Sequence, residues 1–409
     1  MSSPIVIPEA CGGLAPSGAI LASAAGRLRA ELRAPIPRER IAAALSMTSG
    51  LWRDRSFAAR RETVSLAAHA SGFSSAILDE SLDALLKPFH PAAFERLAAR
   101  LVTRPQLLGF IMAGNVIGAG LHEVCQAMLG GAAIILKPAS AEPLFFPAFV
   151  RTLRAIDAQV GARIAVLNWS RADADPTAAL KASCDRIVAF GDDESIAAVA
   201  AAGVIAFGSR ASGALVGADF DGIATADAIA RDVSLFEQRG CLSPHHVFVA
   251  DSRGGFARDF AAELAIALGR CALRLPPPIR LPLREAAAIR SARENARWRR
   301  IGKREVAIWE GERLGWTVIY DAAANFRLSP GYRTAYVTPF RDLADLRRRL
   351  EPAAGRLEAF AVAPGGLSAA RAHLERLGVS YFAAPGEMQS PPLDWRHSGG
   401  ALLDLFLPR

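Results

Sequence analysis

The sequence predicts an α/β fold with more than one domain, and three observations support this prediction. The chain has 409 residues, which is too long for one ordinary hydrophobic core. Hydrophobic residues make up 51% and charged residues 22%, a composition typical of globular chains that bury large cores. From about residue 106 onward, short apolar runs alternate with amphipathic segments. Because parallel strands need long crossover connections, this alternation favours parallel sheets covered by helices.

The first hundred residues are predicted to be helical, since apolar residues recur there at helical spacing. These helices are expected over 19–32, 41–45, 58–70 and 77–86, before Pro88 and Pro91 break the pattern. Strands are expected next over 107–112, 132–136, 164–167, 186–190 and 204–207. Helices are expected between them, ending near 129 and covering 142–156, 174–182 and 193–201. This first alternating set predicts a parallel sheet with helices on both faces.

A second alternating set begins after the apolar run 211–216. It contains a helix over 225–238, a strand over 246–250 and helices over 256–273 and 283–300. Strands follow over 306–309 and 316–320, and a last group of elements covers 333–382. The set predicts a second α/β domain.

The net charge of +8 reflects a preference for arginine, which accounts for 44 of the 48 basic residues. Clusters of arginine can bind nucleic acid because they neutralise phosphates. No RRM, KH, zinc-finger or helix-turn-helix pattern accompanies them, so solvated helix faces are favoured and no nucleic-acid partner is expected. A polyanionic coenzyme would be attracted by the same positive field.

The sequence predicts a cytoplasmic protein. The first residues lack a cationic start followed by an apolar core, so no signal peptide is expected. Five cysteines, odd in number and without a CxxC pair, indicate reduced thiols. The most apolar stretch, 107–136, is interrupted by His122, Glu123, Gln126 and six glycines, so no membrane span is predicted.

Two candidate ligand sites follow predicted strands of the first set. The dinucleotide fingerprint GxGxxG is absent, but Gly114 begins a glycine-containing turn between a strand and a helix, where backbone amides can face an anion. A tight strand-to-helix turn explains these glycines equally well. The next strand ends at Lys137, one of only four lysines, and the carboxyl ends of parallel strands are where α/β sheets bind ligands.

Cys241 lies in the segment Gln-Arg-Gly-Cys-Leu-Ser-Pro (238–244), between a predicted helix and a predicted strand. Constrained loops are the usual location of catalytic nucleophiles. Cys125, Cys184 and Cys271 lie in apolar helical or strand-flanking contexts and are expected to be small buried hydrophobic residues. A buried thiol remains the alternative for Cys241.

These motifs resemble the aldehyde dehydrogenase superfamily and, more closely, the LuxC-type acyl-CoA reductases of bacterial fatty-aldehyde synthesis. The stretches that carry the resemblance are Met-Ala-Gly-Asn-Val (112–116), Leu-Lys-Pro (136–138), Val-Ala-Phe-Gly-Asp-Asp-Glu-Ser-Ile (188–196), Phe-Gly-Ser-Arg (207–210), the Cys241 segment, Pro-Gly-Glu-Met-Gln-Ser-Pro-Pro (385–392) and Trp-Arg-His (395–397). The resemblance covers about residue 105 to the end, and the first hundred residues match only loosely.

The resemblance implies an aldehyde-dehydrogenase-like fold with a Rossmann-type parallel sheet domain and a second α/β catalytic domain. The helical region and dinucleotide-binding domain are expected over 1–230, the catalytic domain over 231–384, and a tail packing back near the site over 385–409. It also implies that a long-chain acyl-CoA is reduced to the aldehyde through a thioester on Cys241. The Asn115 amide and the Cys241 backbone N–H would stabilise the oxyanion. A homo-oligomer is expected by analogy.

The implied cofactor is NADPH, with NADH as the alternative. Lys137 occupies the position where the superfamily places a lysine on the adenosine ribose, and Gly114 and Gly191 belong to the implied cofactor turns. NAD-preferring members often carry an acid three residues after that lysine, where this chain has Ser140. No metal is expected. The superfamily's usual Gly-Ser turn reads Gly191-Asp192-Asp193 here, which puts a phosphate contact in question at this position.

Several alternatives remain open at this stage. The superfamily's water-activating glutamate is missing from 207–213, which fits reduction better than aldehyde oxidation. Glu237, His245 and His246 are candidates for the base that deprotonates Cys241, and His397 has either a structural or a CoA-proximal role. Other readings are a semialdehyde or acyl-phosphate reductase, or a catalytically silent acyl-carrying subunit of a multi-enzyme complex with an acyl-transferring partner.

Overall fold

The computed structural model describes residues 17–114, 116–170, 172–199, 203–217, 221–251, 254–279, 281–302, 305–363 and 368–408. The described chain divides into two compact units. Unit 1 contains residues 17–67, 85–209 and 392–408, and unit 2 contains 68–84 and 210–391. Both units are therefore assembled from separate stretches of chain.

The helices and strands are numbered in chain order. The α-helices are α1 Gly18–Glu31, α2 Arg38–Arg53, α3 Ala58–Ser71, α4 Ser75–Leu86, α5 Pro91–Arg100, α6 Leu121–Leu129, α7 Phe145–Ile156, α8 Ala158–Ala162, α9 Ala174–Ser183, α10 Asp193–Val199, α11 Gly222–Ser234, α12 Phe256–Arg274, α13 Leu283–Ile301, α14 Leu343–Leu350 and α15 Ser368–Arg376. The strands are β1 Leu107–Ile111, β2 Ala133–Lys137, β3 Ile164–Val166, β4 Arg186–Phe190, β5 Val204–Phe207, β6 Ala211–Val216, β7 Pro244–Ala250, β8 Val306–Glu310, β9 Thr317–Asp321, β10 Thr334–Phe340, β11 Leu357–Val362 and β12 Tyr381–Ala383.

Unit 1 contains a five-stranded sheet with the order β3-β2-β1-β4-β5. All four strand pairs are parallel. The chain order reverses between β1 and β4, which is the switch point where open α/β sheets bind ligands beyond the carboxyl ends of their strands. Gly114, Lys137 and Gly191 follow or end β1, β2 and β4 at this edge. The parallel sheet predicted from the alternating pattern is confirmed, and so is the Rossmann-type sheet that the resemblance implies.

Unit 2 contains a seven-stranded sheet with the order β12-β11-β6-β7-β10-β9-β8. Its strands are parallel except for β8, which pairs antiparallel with β9 at one edge. A core cluster under β6, β7, β10 and β11 includes Phe248, Phe340 and Phe360. A side chain on Gly213 of β6 would lie 2.7 Å from Phe360, so only glycine allows these two strands and this ring to pack together.

Most predicted elements match the structure, β4 and β5 have the predicted bounds, and the apolar run 211–216 forms β6. The division between units differs from the expected boundary at residue 230, because it falls after Ser209. The reason is pairing: β6 at 211–216 hydrogen-bonds to β7 and β11 and therefore belongs to the second sheet. The predicted tail also divides, since 385–391 belongs to unit 2 and the following residues belong to unit 1.

The segment after residue 391 completes the packing of unit 1. The Phe406 carbonyl accepts a hydrogen bond from the Val102 backbone N–H at 2.7 Å. The Gln126 side chain donates to the carbonyls of Leu393 and Trp395 at 2.9 and 3.0 Å. Phe406 is fully buried, and a side chain on Gly130 would lie 2.1 Å from its ring. This segment is therefore an integral part of the unit 1 core.

A membrane span was not predicted, and no helix in the described part of the chain combines the length and apolar character needed to cross a bilayer.

Candidate active site

Cys241 lies in the short turn that leads into β7 of unit 2. Its carbonyl oxygen accepts a hydrogen bond from the Ser212 hydroxyl at 2.6 Å, and that hydroxyl accepts one from the Ala359 backbone N–H at 3.1 Å. Ser212 and Ala359 belong to strands β6 and β11. The turn is closed by a hydrogen bond from the Ser243 N–H to the Gly240 carbonyl. The sheet therefore fixes the backbone on which the thiol is carried.

The environment of Cys241 differs from that of the other described cysteines. Cys125 and Cys271 are 0% and 2% exposed, as expected for small buried hydrophobic residues. Burial raises the pKa of Cys125 far above its ordinary value and that of Cys184 to about 12, which keeps both thiols protonated. Cys184 and Cys241 are both partly exposed, so Cys184 is less buried than predicted, and Cys241 is distinguished by its place on the turn before β7. Cys11 lies outside the described residues.

Three successive residues shortly before Cys241 adopt a left-handed backbone that side chains disfavour. Phe236, Glu237 and Gln238 have φ angles of 54°, 52° and 57°. Such residues cost on the order of 1–3 kcal/mol each, so the turn persists only where its surroundings hold it. The predicted helix over 225–238 is therefore wrong in its last turn, because α11 ends at Ser234 and the chain then changes direction.

Side chains from distant parts of unit 2 hold this left-handed turn. The Ser81 hydroxyl accepts a hydrogen bond from the Phe236 N–H at 2.9 Å. The Gln238 amide donates to the carbonyls of Pro244 and Thr334 at 2.6 and 2.8 Å, and its oxygen accepts from the Thr334 N–H at 2.8 Å. Gln238 thereby joins the turn to the first residues of both β7 and β10.

A buried ion pair completes the support of the turn. Glu237 and Arg333 are both 0% exposed, and the Arg333 Nε and Nη2 donate to the two carboxylate oxygens at 3.0 and 2.5 Å. Arg333 Nη1 also donates to the Leu275 carbonyl at 2.7 Å. Burial raises the pKa of Glu237, and the Arg333 charge opposes that rise. Because Arg333 occupies both oxygens, the structure favours a positioning role for Glu237 over that of a base.

The two histidines after Cys241 also have structural partners. The His245 ring lies 2.9 Å from the Ser329 hydroxyl and accepts from the Ser329 N–H. The His246 ring lies 2.8 Å from the Thr338 hydroxyl and stacks on Phe248 with a 4.3 Å centroid separation. Burial lowers the pKa of His245 to about 4 and that of His246 well below its ordinary value, so both rings are neutral at pH 7.

The terminal motif recognised in the sequence contacts the Cys241 turn. The Asp232 carboxylate accepts hydrogen bonds from the N–H groups of Gly386 at 2.6 Å and Met388 at 3.1 Å. Gln389 donates to the Ser243 hydroxyl at 3.1 Å and to the Asp232 carbonyl at 3.3 Å. Asp232 is 0% exposed, and burial raises its pKa to about 7 although the two N–H donors favour the charged form.

In unit 1, Lys137 ends β2 with its side chain buried. The residue is 8% exposed, its Nζ lies 3.4 Å from the Pro138 carbonyl, and the ammonium lies 5.6 Å from the centroid of the Trp169 ring. Burial lowers the pKa of Lys137, and no carboxylate among the described residues pairs with it. Ser140, three residues later, is exposed. A buried cation with an incomplete set of partners is suited to an anionic or hydroxyl-bearing ligand.

The predicted cofactor turns of unit 1 are closely packed. A side chain on Gly114 would lie 2.8 and 2.9 Å from the side chains of Ala139 and Ala141, so the turn after β1 lies against the turn after β2. A side chain on Gly191 would lie 2.8 Å from Ser195. The Asp192 carboxylate accepts from the Ser195 N–H at 2.8 Å and so is directed to the start of α10. Asn115 lies outside the described residues.

Unit 1 also contains a buried acid–base pair, and it involves His397 of the terminal Trp-Arg-His motif. His397 Nδ1 lies 2.7 Å from the Glu123 carboxylate, and its ring stacks on Trp395 at 4.2 Å and contacts Phe207 at 4.6 Å. Burial alone would raise the pKa of Glu123, but the hydrogen bond and charge of His397 outweigh it and lower the pKa. This pairing favours the structural reading of His397.

Sequence reasoning missed Arg333 and Asp232, which support the Cys241 turn from within unit 2. Arg333 directly precedes the apolar strand β10, and Asp232 lies on a largely buried face of α11. A charged residue in an apolar run is the available signal, since buried charges require partners. Their partners are 96 and more than 150 residues away in the chain, so local patterns could not identify them. The described residues contain no group of three suited to hold a metal ion.

Comparison with solved structures identifies the class of fold. An oxidoreductase from Marinobacter aquaeolei is 14% identical, covers 92% of this chain and 84% of its own, and has a TM-score of 0.70. Aldehyde dehydrogenase 21 from Physcomitrella patens is 14% identical, with coverages of 92% and 83% and a TM-score of 0.69. At these identities the likeness shows the fold alone, which is that of the aldehyde dehydrogenases, as the sequence motifs predicted.

The family follows from the sequence itself. Residues 86–408 match the family described as acyl-CoA reductase (LuxC), and the chain belongs to this family. A relative from Photobacterium leiognathi, long-chain acyl-protein thioester reductase 2, is 27% identical over 58% of this chain and 49% of its own length. Long-chain acyl-protein thioester reductase from Aliivibrio fischeri is 24% identical over the same shares. The chain spans about half the length of these curated relatives.

Proposed function

We propose that this chain reduces a long-chain acyl thioester to the aldehyde through an acyl group carried on Cys241. The observation that carries the proposal is the partly exposed thiol on a turn held from β6, β7, β10 and β11. The names of the Photobacterium and Aliivibrio relatives, which are long-chain acyl-protein thioester reductases, support the substrate class. The missing water-activating glutamate in 207–213 agrees with reduction.

The first step would transfer the acyl group to the protein. The Cys241 thiolate attacks the carbonyl carbon, a new carbon–sulfur bond forms, and the bond to the donor sulfur breaks, releasing the donor as a thiolate that takes up a proton. A thioester replaces a thioester, so the exchange is close to balanced in energy. The Cys241 backbone N–H and the Asn115 amide would donate to the transient oxyanion, each contributing about 3–4 kcal/mol.

The second step would release the aldehyde. Addition of hydride to the acyl carbon gives a tetrahedral oxyanion at the same donors, and its collapse breaks the carbon–sulfur bond to Cys241. The aldehyde leaves and the thiolate is restored, so no base is needed in the second half of the cycle. The neutral His245 and His246 and the paired Glu237 agree with a mechanism that does not depend on them.

The residues at the carboxyl edge of the unit 1 sheet fit a nicotinamide dinucleotide. A buried ammonium without a carboxylate partner at Lys137 is suited to ribose hydroxyls. Gly114 lets the turn after β1 pack against the turn after β2, and Gly191 lets the turn after β4 pack against Ser195. When bound in its reduced form, this cofactor supplies the hydride. We infer that NADPH is preferred over NADH, because Ser140 offers no carboxylate to repel a 2′-phosphate.

The donor thioester is proposed to be acyl-CoA or an acyl group carried on a partner protein. The sequence resemblance supports the first, and the names of the curated relatives support the second. Both donors react through a thioester carbonyl carbon and its sulfur. They differ in the surface that must recognise the rest of the donor.

The direct test is incubation with tetradecanoyl-CoA in the absence of a cofactor, followed by peptide mass spectrometry. We expect one tetradecanoyl group on Cys241, none in Cys241→Ser, and unchanged labelling in the control Cys184→Ser. Addition of NADPH should then release tetradecanal. No acyl mass on Cys241 would overturn the mechanism. Faster turnover of tetradecanoyl phosphate would favour an acyl-phosphate reductase, and absence of saturable NADPH binding would favour a silent acyl-carrying subunit.

A further inference from the structure

The most exposed apolar side chains of the protein are concentrated in one part of unit 2. Among the described residues, the five most exposed large hydrophobic side chains all lie between 273 and 301: Leu273 at 85%, Ile279 at 85%, Leu283 at 82%, Ile301 at 72% and Trp298 at 70%. Single exposed hydrophobic residues are normal, but a concentration of them marks an interaction surface. This stretch comprises the end of α12, its connection to α13, and α13.

Three of the five lie where α12 passes into α13. We call this surface the α12–α13 corner and define it by Leu273, Arg274, Ile279, Leu283 and Arg284. The other two, Trp298 and Ile301, lie about 22–27 Å further along α13 at 1.5 Å per residue. The five therefore form two separate apolar surfaces, one at each end of the same helix.

The α12–α13 corner lies at the same edge of the sheet as Cys241. Strands β7, β10 and β9 are parallel neighbours, so the turns before them share one edge. Arg333, just before β10, bonds both to Glu237 in the Cys241 turn and to the Leu275 carbonyl in the corner segment. A side chain on Gly315, just before β9, would lie 3.1 Å from Pro277 of the same segment. Arg299 pairs instead with Asp321 at the far end of β9, so Trp298 and Ile301 lie at the opposite edge.

The corner is also positively charged. Residues 270–302 contain nine arginines and two glutamates. Arg274 and Arg284 are exposed and have no carboxylate partner among the described residues, whereas Arg297 and Arg299 are paired with Glu310 and Asp321. Unpaired arginines beside exposed aliphatic side chains match an acidic partner with an apolar contact surface, because complementary charge guides and orients protein association.

We propose that the α12–α13 corner is the docking surface for an acidic protein that presents the acyl group as a thioester to Cys241. The inference rests on the proposed function and extends it to the donor. A second copy of this chain is a poorer occupant, since a symmetric contact through this surface would place Arg274 and Arg284 against like charges. The corner lies at the Cys241 edge of the sheet, and this location suits a donor protein. The thioester of the donor must reach the Cys241 thiol while the donor's surface stays bound to the corner.

The test compares two donors that carry the same acyl chain. Tetradecanoyl-pantetheine is small and uncharged, and a purified tetradecanoyl acyl carrier protein is acidic. For the variant Arg274→Glu/Arg284→Glu, we expect the KM for the carrier donor to rise at least 10-fold, with kcat and the KM for the pantetheine donor unchanged. The variant Leu273→Ser/Leu283→Ser should show the same selectivity. Raising NaCl from 50 to 300 mM should weaken carrier binding to the wild-type protein.

Matched controls lie on the same helix away from the corner. Arg290→Glu/Arg300→Glu reverses two exposed arginines, and Trp298→Ser/Ile301→Ser removes the second apolar surface. Both should leave the carrier KM within 2-fold of the wild type. Equal effects in the control and corner variants, or a wild-type protein that does not prefer the carrier to pantetheine, would overturn the proposal.

Direct binding separates this proposal from the proposed function. Fluorescence anisotropy of the labelled carrier with the Cys241→Ser variant reports docking without turnover, and we expect a Kd at least 10-fold weaker when the two corner arginines are reversed. Failure of tetradecanoyl-pantetheine to acylate Cys241 would count against the function and not against docking. Loss of a dimer in the corner variants would assign the surface to a second copy. Corner-dependent binding to phosphatidylglycerol vesicles would assign it to a membrane surface, and either outcome would overturn the proposal.

Discussion

The loop before β10 in unit 2 and the end of β2 in unit 1 both bury a basic side chain, but only the first pairs that charge with a carboxylate. Arg333 is fully buried and bonds to both oxygens of Glu237 and to the Leu275 carbonyl. Lys137 is 8% exposed, and its ammonium lies beside the Pro138 carbonyl and the face of Trp169. One cation is matched within the protein, and the other has no carboxylate partner among the described residues.

This difference separates two uses of buried charge. A matched pair contributes little net stability over an apolar pair, but its geometry fixes the surrounding backbone. In unit 2 that backbone is a left-handed turn that would not persist alone. An unmatched buried cation is destabilising in the free protein, and it is retained where a ligand supplies the missing partner. We therefore interpret Arg333 as support for the Cys241 turn and Lys137 as a ligand-binding group.

The largest expected effect comes from breaking the matched pair. Arg333→Met leaves the Glu237 carboxylate buried without its partner, and we expect the free energy of unfolding to fall by about 3–5 kcal/mol. Urea unfolding followed by tryptophan fluorescence measures this change. The double variant Glu237→Gln/Arg333→Met should recover most of the loss, because no unpaired charge remains. A double variant as unstable as the single one would contradict the interpretation.

The next effect concerns the pH dependence of the contact between the terminal motif and the Cys241 turn. Burial raises the pKa of Asp232 to about 7, against about 3.9 in the unfolded chain. The folded protein thus binds the extra proton, so this contribution to stability is fully present below about pH 4 and is lost as the pH rises through 7. The shift corresponds to at most about 4 kcal/mol.

The measurement for Asp232 is urea unfolding of the wild-type protein and Asp232→Asn between pH 4 and 8. We expect the free energy of unfolding of Asp232→Asn to increase relative to that of the wild-type protein as the pH rises from 4 to 7. Above pH 7 the difference between the two proteins should be constant. Asp345, which is paired with Arg348 and Arg349, has a lowered pKa, so Asp345→Asn is a control whose stability difference from the wild type should be nearly constant above about pH 5. If the difference in free energy of unfolding between the wild-type protein and Asp232→Asn does not depend on pH, the raised pKa of Asp232 is contradicted.

A smaller effect is expected at the unmatched cation. Lys137→Met removes a charge whose burial lowers its own pKa, so stability should be unchanged or slightly higher. Affinity for NADPH should fall about 10- to 100-fold, because a hydrogen bond to a charged group contributes about 1.5–3 kcal/mol. Fluorescence titration with NADPH and urea unfolding measure the two quantities. A stability loss similar to that of Arg333→Met would remove the contrast between the two sites.

The smallest expected effect concerns the choice between two cofactors. Ser140→Glu introduces a carboxylate at the exposed position three residues after Lys137. A carboxylate repels a 2′-phosphate and accepts from a 2′-hydroxyl, so the ratio of kcat/KM for NADPH over NADH should fall about 10-fold. Ser140→Ala is the matched control and should leave the ratio within 2-fold. Equal rates of the wild-type protein with both cofactors would already remove the inferred preference for NADPH.

Local patterns were sufficient for two short, largely apolar strands of unit 1. Strands β4 and β5 were predicted residue by residue, because each is a short run with a breaker or a helix on either side. The family motifs also indicated Cys241 and Lys137 as site residues without any tertiary information, and their roles stay predictions. These features depend on neighbouring residues and on the composition of single segments.

Local patterns failed where distant residues determine the backbone. The apolar spacing of 225–234 continues through Phe236, so the helix was extended to 238, but Glu237 and Gln238 are held by Arg333 and Thr334 almost a hundred residues later. The division of the chain between the two units, with 68–84 placed in the second, has the same origin. Such long-range contacts cannot be identified from the spacing of apolar residues within a single segment.

The packing of Phe406 and Trp395 into unit 1 has a consequence for how the protein is made. On the ribosome, the helices and strands of 85–209 emerge nearly two hundred residues before the segment that covers them. During that interval the carbonyl that receives the Val102 N–H and the ring that fills the space at Gly130 have not yet been translated. Unit 1 can therefore close only after residues 392–408 have been synthesised, and until then the nascent sheet exposes apolar surface that chaperones can recognise.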